Sequence, residues 1–197
     1  MKRLTLLALA VVLGAPSFAR AAPPPILREG THPMWAGMGM GPAIEISDYV
    51  TQFKLTPQFG YHFSGRAEGP AVAVELQLAF GDGTTFGFVP MFVWDFRIVP
   101  GLGLYISPFV GLGYAGFFPD CPPGFDCDGA HGLTFQFGVK AKLVLGDRGY
   151  VFFQPVAFDI MAAEYSVYVG GPFGGRYVSD WDDAERFDML FGGGVIF

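Results

Sequence analysis

The sequence has few charged residues, few cysteines and no long apolar run. Charged residues make up 15% of the chain, against about 25% in an average soluble protein, so something other than water is expected to cover much of the surface. No later segment offers the roughly 20 uninterrupted apolar residues that a membrane-spanning helix needs. These absences argue against a helical membrane protein and against an ordinary soluble domain.

The N-terminus has the form of a signal peptide. Lys2 and Arg3 precede an apolar run over residues 4–13, and the small-residue site Ala19-Arg20-Ala21 follows. We predict cleavage after Ala21, and no cysteine lies there to carry a lipid anchor. The prediction assigns residues 22–33 to a Pro-rich periplasmic segment and residues 34–197 to one folded domain.

The charge balance excludes one class of partner. Three of the 12 basic residues belong to the signal peptide, which leaves 9 against 18 acidic residues in the mature chain. No basic stretch remains to follow a phosphate backbone. We therefore expect no nucleic-acid binding.

Composition favours strands over helices. The 29 Gly, 16 Pro and 22 Phe would break helices repeatedly, whereas aromatic side chains suit pleated strands. Apolar residues alternate with small or polar ones, the period of a strand with two different faces. The alternation predicts strands at roughly 34–43, 58–63, 71–80, 86–98, 104–114, 133–145, 150–160 and 187–197.

The connections and the prolines qualify this interpretation. Matching faces on the third and fourth strands require a loop with an odd number of residues, which a turn at Asp82-Gly83-Thr84 supplies, with Gly83 left-handed. Residues 44–57, 119–130 and 163–184 are expected to be outer loops.

Pro90, Pro108 and Pro155 fall inside strands, where we expect bulges. The face assignment near residues 152–158 is ambiguous.

A soluble barrel would show the same alternation, and composition decides between the two. The polar face is rich in Gly, Ala, Ser, Thr and Gln rather than charge, which suits a narrow lumen. The apolar positions at 72–80, 86–98 and 133–145 hold no charge. A Lys or Arg at mid-bilayer depth would cost about 2 to 4 kcal/mol.

These features resemble the small eight-stranded outer-membrane barrels of the OmpA and OmpX types. The resemblance covers residues 34–197 and depends on the terminal FGGGVIF, the signal peptide and possible girdle aromatics at Trp35, Trp94, Tyr105 and Tyr114. It implies a single antiparallel up-and-down transmembrane barrel in a Gram-negative outer membrane. It also implies contact with outer-membrane lipid, and recognition of the strand that ends at Phe197 by the barrel assembly machinery.

Inward charges are the main candidates for function. We predict that six of them point into the lumen: Glu75, Asp95, Arg97, Lys140, Lys142 and Asp188. Eight strands leave just enough interior for side chains, which favours a structural plug. The alternative is a narrow porin-like channel or small-solute transporter, in which the same charges would set selectivity.

One motif raises an enzymatic alternative. His62 and Ser64 share a strand face, and Glu68 or Glu75 would complete a nucleophile arrangement. The pair resembles the H-x-S motif of the outer-membrane lipid A deacylases. However, both residues fall on the face assigned to the lumen and near a periplasmic turn, away from outer-leaflet lipid, so we favour a non-enzymatic protein without cofactors.

The remaining candidates lie mostly in the outer loops. Cys121 and Cys127 are predicted to form a small-loop disulfide, with free thiols or half of a metal site as alternatives. Two acidic clusters are interpreted as solvated loops rather than Ca²⁺ sites: Asp120, Asp126, Asp128 with His131, and Asp180, Asp182, Asp183 with Glu185. Copper binding by Met34, Met38 and Met40 is a remote alternative to lipid contact. The sequence indicates no particular loop partner.

Overall fold

The chain forms a closed barrel of eight antiparallel strands, each paired with the next and the last paired with the first. The computed structural model describes residues 32–46, 51–81, 83–99, 101–120, 129–171 and 174–197, with the backbone alone for 164–183. The strands are β1 Met34–Glu45, β2 Thr51–His62, β3 Gly69–Gly81, β4 Gly83–Val99, β5 Leu104–Pro119, β6 Ala130–Leu145, β7 Gly149–Gly171 and β8 Gly174–Ile196. The predicted fold class and strand number are confirmed.

Both ends of the barrel sequence lie at one end of the barrel. The backbones of Met34 and Phe197 exchange hydrogen bonds of 3.0 and 2.8 Å, and the connections from β2 to β3, β4 to β5 and β6 to β7 lie at this same end. We call it the terminal end and the opposite one the far end. No helix among the described residues is long and apolar enough to cross a membrane.

Two predicted outer loops are wrong because the strands continue through them. β2 begins at Thr51 rather than near Gln58, and Thr51 pairs with Ile44 of β1. β7 and β8 pair with each other as far as Gly171 and Gly174, so most of residues 163–184 forms a two-stranded hairpin.

The turn between β3 and β4 has an odd number of residues, as predicted, but it is shorter than predicted. Phe80 pairs with Thr84 and Gly81 with Gly83, so Gly83 and Thr84 already belong to β4, and Asp82 lies outside the described residues.

The prolines act in two ways. The register of β7 against β8 shifts between Gln154 and Ala157, which confirms the bulge expected at Pro155. The bulges expected at Pro90 and Pro108 are wrong. Pairing of β4 with β5 skips the positions opposite both prolines and resumes in the same register, because a missing donor interrupts the ladder without requiring an extra residue.

The two faces of the wall have opposite chemistry. Large apolar side chains cover the outside, and on β3, β4 and β6 no Asp, Glu, Lys or Arg points outward. Trp94 and Tyr114 are exposed there as expected, at 42% and 52%. Trp35 and Tyr105 are not girdle residues, because both are buried inside the barrel; on their strands odd-numbered positions face inward.

Candidate functional site inside the barrel

A buried ion cluster lies in the interior between β2, β7 and β8. The Nζ of Lys54 donates to Oδ2 of Asp159 at 2.5 Å and to Oδ2 of Asp188. All three side chains are essentially inaccessible to solvent. The Oδ1 atoms of both carboxylates have no hydrogen-bond partner among the described residues, so the two acids depend on one lysine.

A third carboxylate, that of Glu75, is held by amides and one distant lysine. It accepts hydrogen bonds from Nε2 of Gln58 at 2.8 Å, of Gln136 at 3.1 Å and of Gln77 at 3.3 Å. Nζ of Lys140 is 3.8 Å from the carboxylate and donates to Oε1 of Gln58 at 2.9 Å. Gln77 also approaches Asp159 at 3.4 Å, which links this group to the Lys54 cluster.

Towards the far end, Arg186 is held by neutral groups. Its Nη1 donates to Oε1 of Gln52 and to Oγ1 of Thr85, both at 3.2 Å. Gln52 in turn donates to the carbonyl of Gly83 at 3.3 Å. Arg186 supplies a positive charge on the same strand face as Asp188, which shares its single lysine with Asp159.

Towards the terminal end, Asp95 joins two basic side chains. Its Oδ2 lies 2.8 Å from Nε2 of His62 and accepts a hydrogen bond from Nζ of Lys142. Nδ1 of His62 lies 3.2 Å from the carbonyl of Pro33. This cluster therefore ties β2, β4 and β6 to the residue that precedes β1.

Aromatic rings fill the rest of the terminal half of the interior. Tyr150 and Phe152 of β7 lie over the inner face of the neighbouring strands β8 and β1, which carry glycine at several inward positions. The ring of Trp35 meets Tyr150 edge to face, with centroids 6.2 Å apart. Lys140 lies 4.6 Å from the centroid of Phe109, a cation–π contact. These rings, together with the clusters above, occupy much of the described interior.

The glycines are needed because rings occupy the space of their missing side chains. A Cβ at Gly192 would overlap the backbone of β1 and crowd the ring of Phe152. We expect Gly192→Ala to lower the free energy of unfolding by about 1 to 3 kcal/mol. Gly116→Ala, where a Cβ would meet its nearest neighbour at an ordinary 3.4 Å, should change it little. Urea titration of the two refolded variants measures the difference, and equal values would contradict this packing.

The structure places five of the six predicted inward charges inside the barrel and one at its rim. Glu75, Asp95 and Asp188 are buried, and so are Lys140 and Lys142. Arg97 has the inward parity but lies at the terminal end, about one-third exposed, where it pairs with Glu68 at 2.8 Å.

Sequence reasoning missed three interior charges. Lys54 was assigned to an outer loop that is instead part of β2. Asp159 and Arg186 were not recognised as interior residues. With these three, the described interior holds four acids, Glu75, Asp95, Asp159 and Asp188, and four Lys or Arg side chains, Lys54, Lys140, Lys142 and Arg186, together with the imidazole of His62. The acids and the Lys and Arg side chains are therefore equal in number.

The H-x-S pair does not form a nucleophile arrangement in this structure. His62 points inward to Asp95, whereas Oγ of Ser64 donates to the carbonyls of Glu68 at 2.5 Å and Arg66 at 3.1 Å within an exposed turn. The two side chains therefore have separate partners.

The other candidates fall mostly outside the described side chains. Cys121, Cys127, Asp126 and Asp128 lie in residues 121–128, and the side chains of Asp180, Asp182 and Asp183 belong to the segment with backbone alone. Asp120 is exposed, and His131 meets the hydroxyl of Tyr114 at 2.7 Å on the outside. Within the described ranges no group of three or more His, Cys, Asp or Glu could hold a metal ion.

Two solved structures are similar to this barrel. The N-terminal β-barrel domain of Pseudomonas aeruginosa OprF matches with a TM-score of 0.53 and 11% identity, over 83% of this chain and 97% of that one. Neisserial surface protein A matches with a TM-score of 0.56 and 12% identity, over 85% of this chain and 98% of that one. No protein-family model matches, and no curated protein does. The likeness shows the fold, and the resemblance to small eight-stranded outer-membrane barrels is confirmed at that level.

Proposed function

We propose that this chain is a non-enzymatic outer-membrane β-barrel with a lumen plugged by its own side chains, and with a structural or surface-interaction role. The observation that carries the proposal is the set of four acids and four Lys or Arg side chains buried in the interior. A selective pore needs charges that meet water and ions along a path. Here the charges meet one another or neutral polar side chains, and aromatic rings pack beside them in the terminal half.

The outer wall supports the membrane location. It presents large apolar side chains to the surroundings around the whole barrel, such as Phe92, Phe137 and Phe191. A contiguous apolar surface of this extent does not occur on a soluble monomer. A closed barrel also pairs every strand, which hydrocarbon requires.

The proposal includes a route and an orientation. The signal peptide would be cleaved after Ala21, and the strand ending at Phe197 would be read by the barrel assembly machinery. The terminal end would face the periplasm, since short turns and the chain ends lie on that side in such barrels. The far-end connections and the β7–β8 hairpin would then face outward and meet any surface partner.

Conductance of the refolded chain in a planar bilayer tests the plug. We expect no discrete steps from protein whose heat-modifiable gel migration shows that the barrel has folded. Reproducible steps from such protein would contradict the plug. They would favour the narrow channel instead, with Glu75 and Lys140 among the residues that set ion preference.

A further inference from the structure

A small cavity lies inside the terminal half of the barrel, between the Asp95 cluster and Lys140. Its volume is about 20 Å³, and it is lined among others by Trp35, Asp95, Lys140, Lys142 and Tyr150. A cavity of this size holds about one water-sized occupant. It is separate from the Lys54 cluster and from the rim pair of Arg97 and Glu68.

The lining has several hydrogen-bond donors that are not engaged. Nε1 of Trp35 and the hydroxyl of Tyr150 are buried without a protein partner, and an indole N–H can only donate. Each lysine ammonium has three N–H groups. Lys142 donates to Asp95, and Lys140 donates to Gln58, which leaves further N–H groups on both.

Two acceptors in the lining, Oδ2 of Asp95 and Oε1 of Gln58, are already engaged, whereas the buried hydroxyl of Ser107 has no protein partner and can both donate and accept. Oδ2 of Asp95 accepts a hydrogen bond from Lys142 and lies 2.8 Å from Nε2 of His62, and Oε1 of Gln58 accepts a hydrogen bond from Lys140. Aromatic rings flank the ammonium groups on other sides, with Phe109 at 4.6 Å from Lys140 and Tyr105 at 5.2 Å from Lys142. The rings attract the ammonium charges, but they do not accept an N–H hydrogen bond as an oxygen atom does.

The occupant that fits this lining accepts several hydrogen bonds. A water molecule accepts only two, fewer than the unengaged N–H groups of Trp35, Lys140 and Lys142. A monatomic anion accepts from all three side chains and adds a negative charge between two lysines.

We infer that this cavity is a binding site for one small monovalent anion of chloride or bromide size, held by Lys140 and Lys142 and by the indole N–H of Trp35. The site rests on the closed lumen proposed above, because an open lumen would expose the lysines to bulk water. Its role would be to complete the packing of the terminal half when the barrel folds.

Anomalous diffraction from the full chain, refolded and crystallised in bromide, tests the site directly. We expect a bromine peak within hydrogen-bonding distance of both lysine Nζ atoms. A water molecule at that position with bromine absent, or bromine found only at the outer surface, would overturn the inference.

Stability in solution provides the second measurement. Chloride, compared with gluconate at equal ionic strength, should raise the thermal midpoint of the refolded protein, because gluconate is too large for the cavity. Lys140→Met should abolish this difference. Trp35→Phe keeps an aromatic ring. It should raise the chloride concentration needed for half of the stabilisation on the order of fivefold, the effect of one hydrogen bond. Arg97→Gln, a cation removed at the rim, should leave it intact, and an equal loss in that variant would overturn the site.

The two proposals fail in different ways. A conducting barrel that still shows the bromine peak would contradict the plugged lumen and retain the anion site. A silent barrel without the peak would retain the plug and remove the site.

Discussion

Lys54→Met is expected to lower the free energy of unfolding by about 3 to 5 kcal/mol, the typical cost of removing one partner from a buried ion pair. Asp159 and Asp188 would keep two buried carboxylates without their shared cation. Their Oδ1 atoms have no partner among the described residues, and the amide of Gln77, 3.4 Å from Oδ2 of Asp159, is neutral and cannot replace the lost charge. Urea titration of the refolded barrel in lipid vesicles measures the loss.

Two matched variants separate charge from packing. Lys54→Met combined with Asp159→Asn and Asp188→Asn removes the net charge and should recover much of the stability, since a neutral replacement of a buried ion cluster is often tolerated. Arg97→Gln breaks an ion pair that is about one-third exposed and should cost under about 1 kcal/mol. If Lys54→Met cost no more than Arg97→Gln, the Lys54 cluster would not be a buried structural element.

The strands that could be predicted best are those with an unbroken alternation. β3, β4 and β6 each keep one apolar face over their predicted length, and the inward positions of Glu75 and Lys140 follow from parity alone. A one-residue slip would turn every side chain of such a strand to the other face, so the hydrophobic pattern fixes the register. The closed eight-stranded barrel follows from several such strands joined by short connections.

Lys54 was missed because a proline was interpreted as the end of a loop. Phe53, Leu55 and Phe59 already alternate on the outward face of β2, and Pro57 occupies the outward position between them, opposite Met38. The predicted outer loop over residues 44–57 took no account of this alternation.

Asp159 was missed because β7 changes phase. Tyr150, Phe152 and Gln154 point inward at even positions, and after the bulge at Pro155 the inward positions are odd, so Ala157 and Asp159 point inward. Without the bulge Asp159 would face the outer wall. The apparent apolar character of both faces near residues 152–158 was the signal of this change, and the proline marks where it happens.

The aromatic packing could not be predicted from any one strand. The ring of Phe152 has room inside the barrel because the neighbouring strands β8 and β1 carry glycine there, including Gly192 and Gly39. Which glycine meets which ring depends on the register between strands that are far apart in sequence. The sequence alone therefore predicted inward charges that plug a narrow lumen, and the structure adds large aromatic rings beside them.

Phe137→Arg is expected to lower the free energy of unfolding of the barrel in lipid vesicles by about 2 to 4 kcal/mol. Phe137 lies at the middle of β6 on the outer wall, paired with Val110 and Phe158 of the neighbouring strands. A guanidinium at that depth would be placed among acyl chains, too far from either interface to reach water without cost. The measurement is the urea dependence of folding into vesicles, followed by gel migration.

The control keeps the same substitution and changes only its depth. Phe63 lies in the turn at the terminal end and is 57% exposed, so Phe63→Arg should cost about 0 to 1 kcal/mol, the value near an interface. The difference between the two costs measures the effect of the surrounding hydrocarbon, because both variants lose one phenylalanine and gain one arginine on an outward surface. Equal costs at the two positions would mean that the middle of β6 meets water, and the membrane location of the barrel would be wrong.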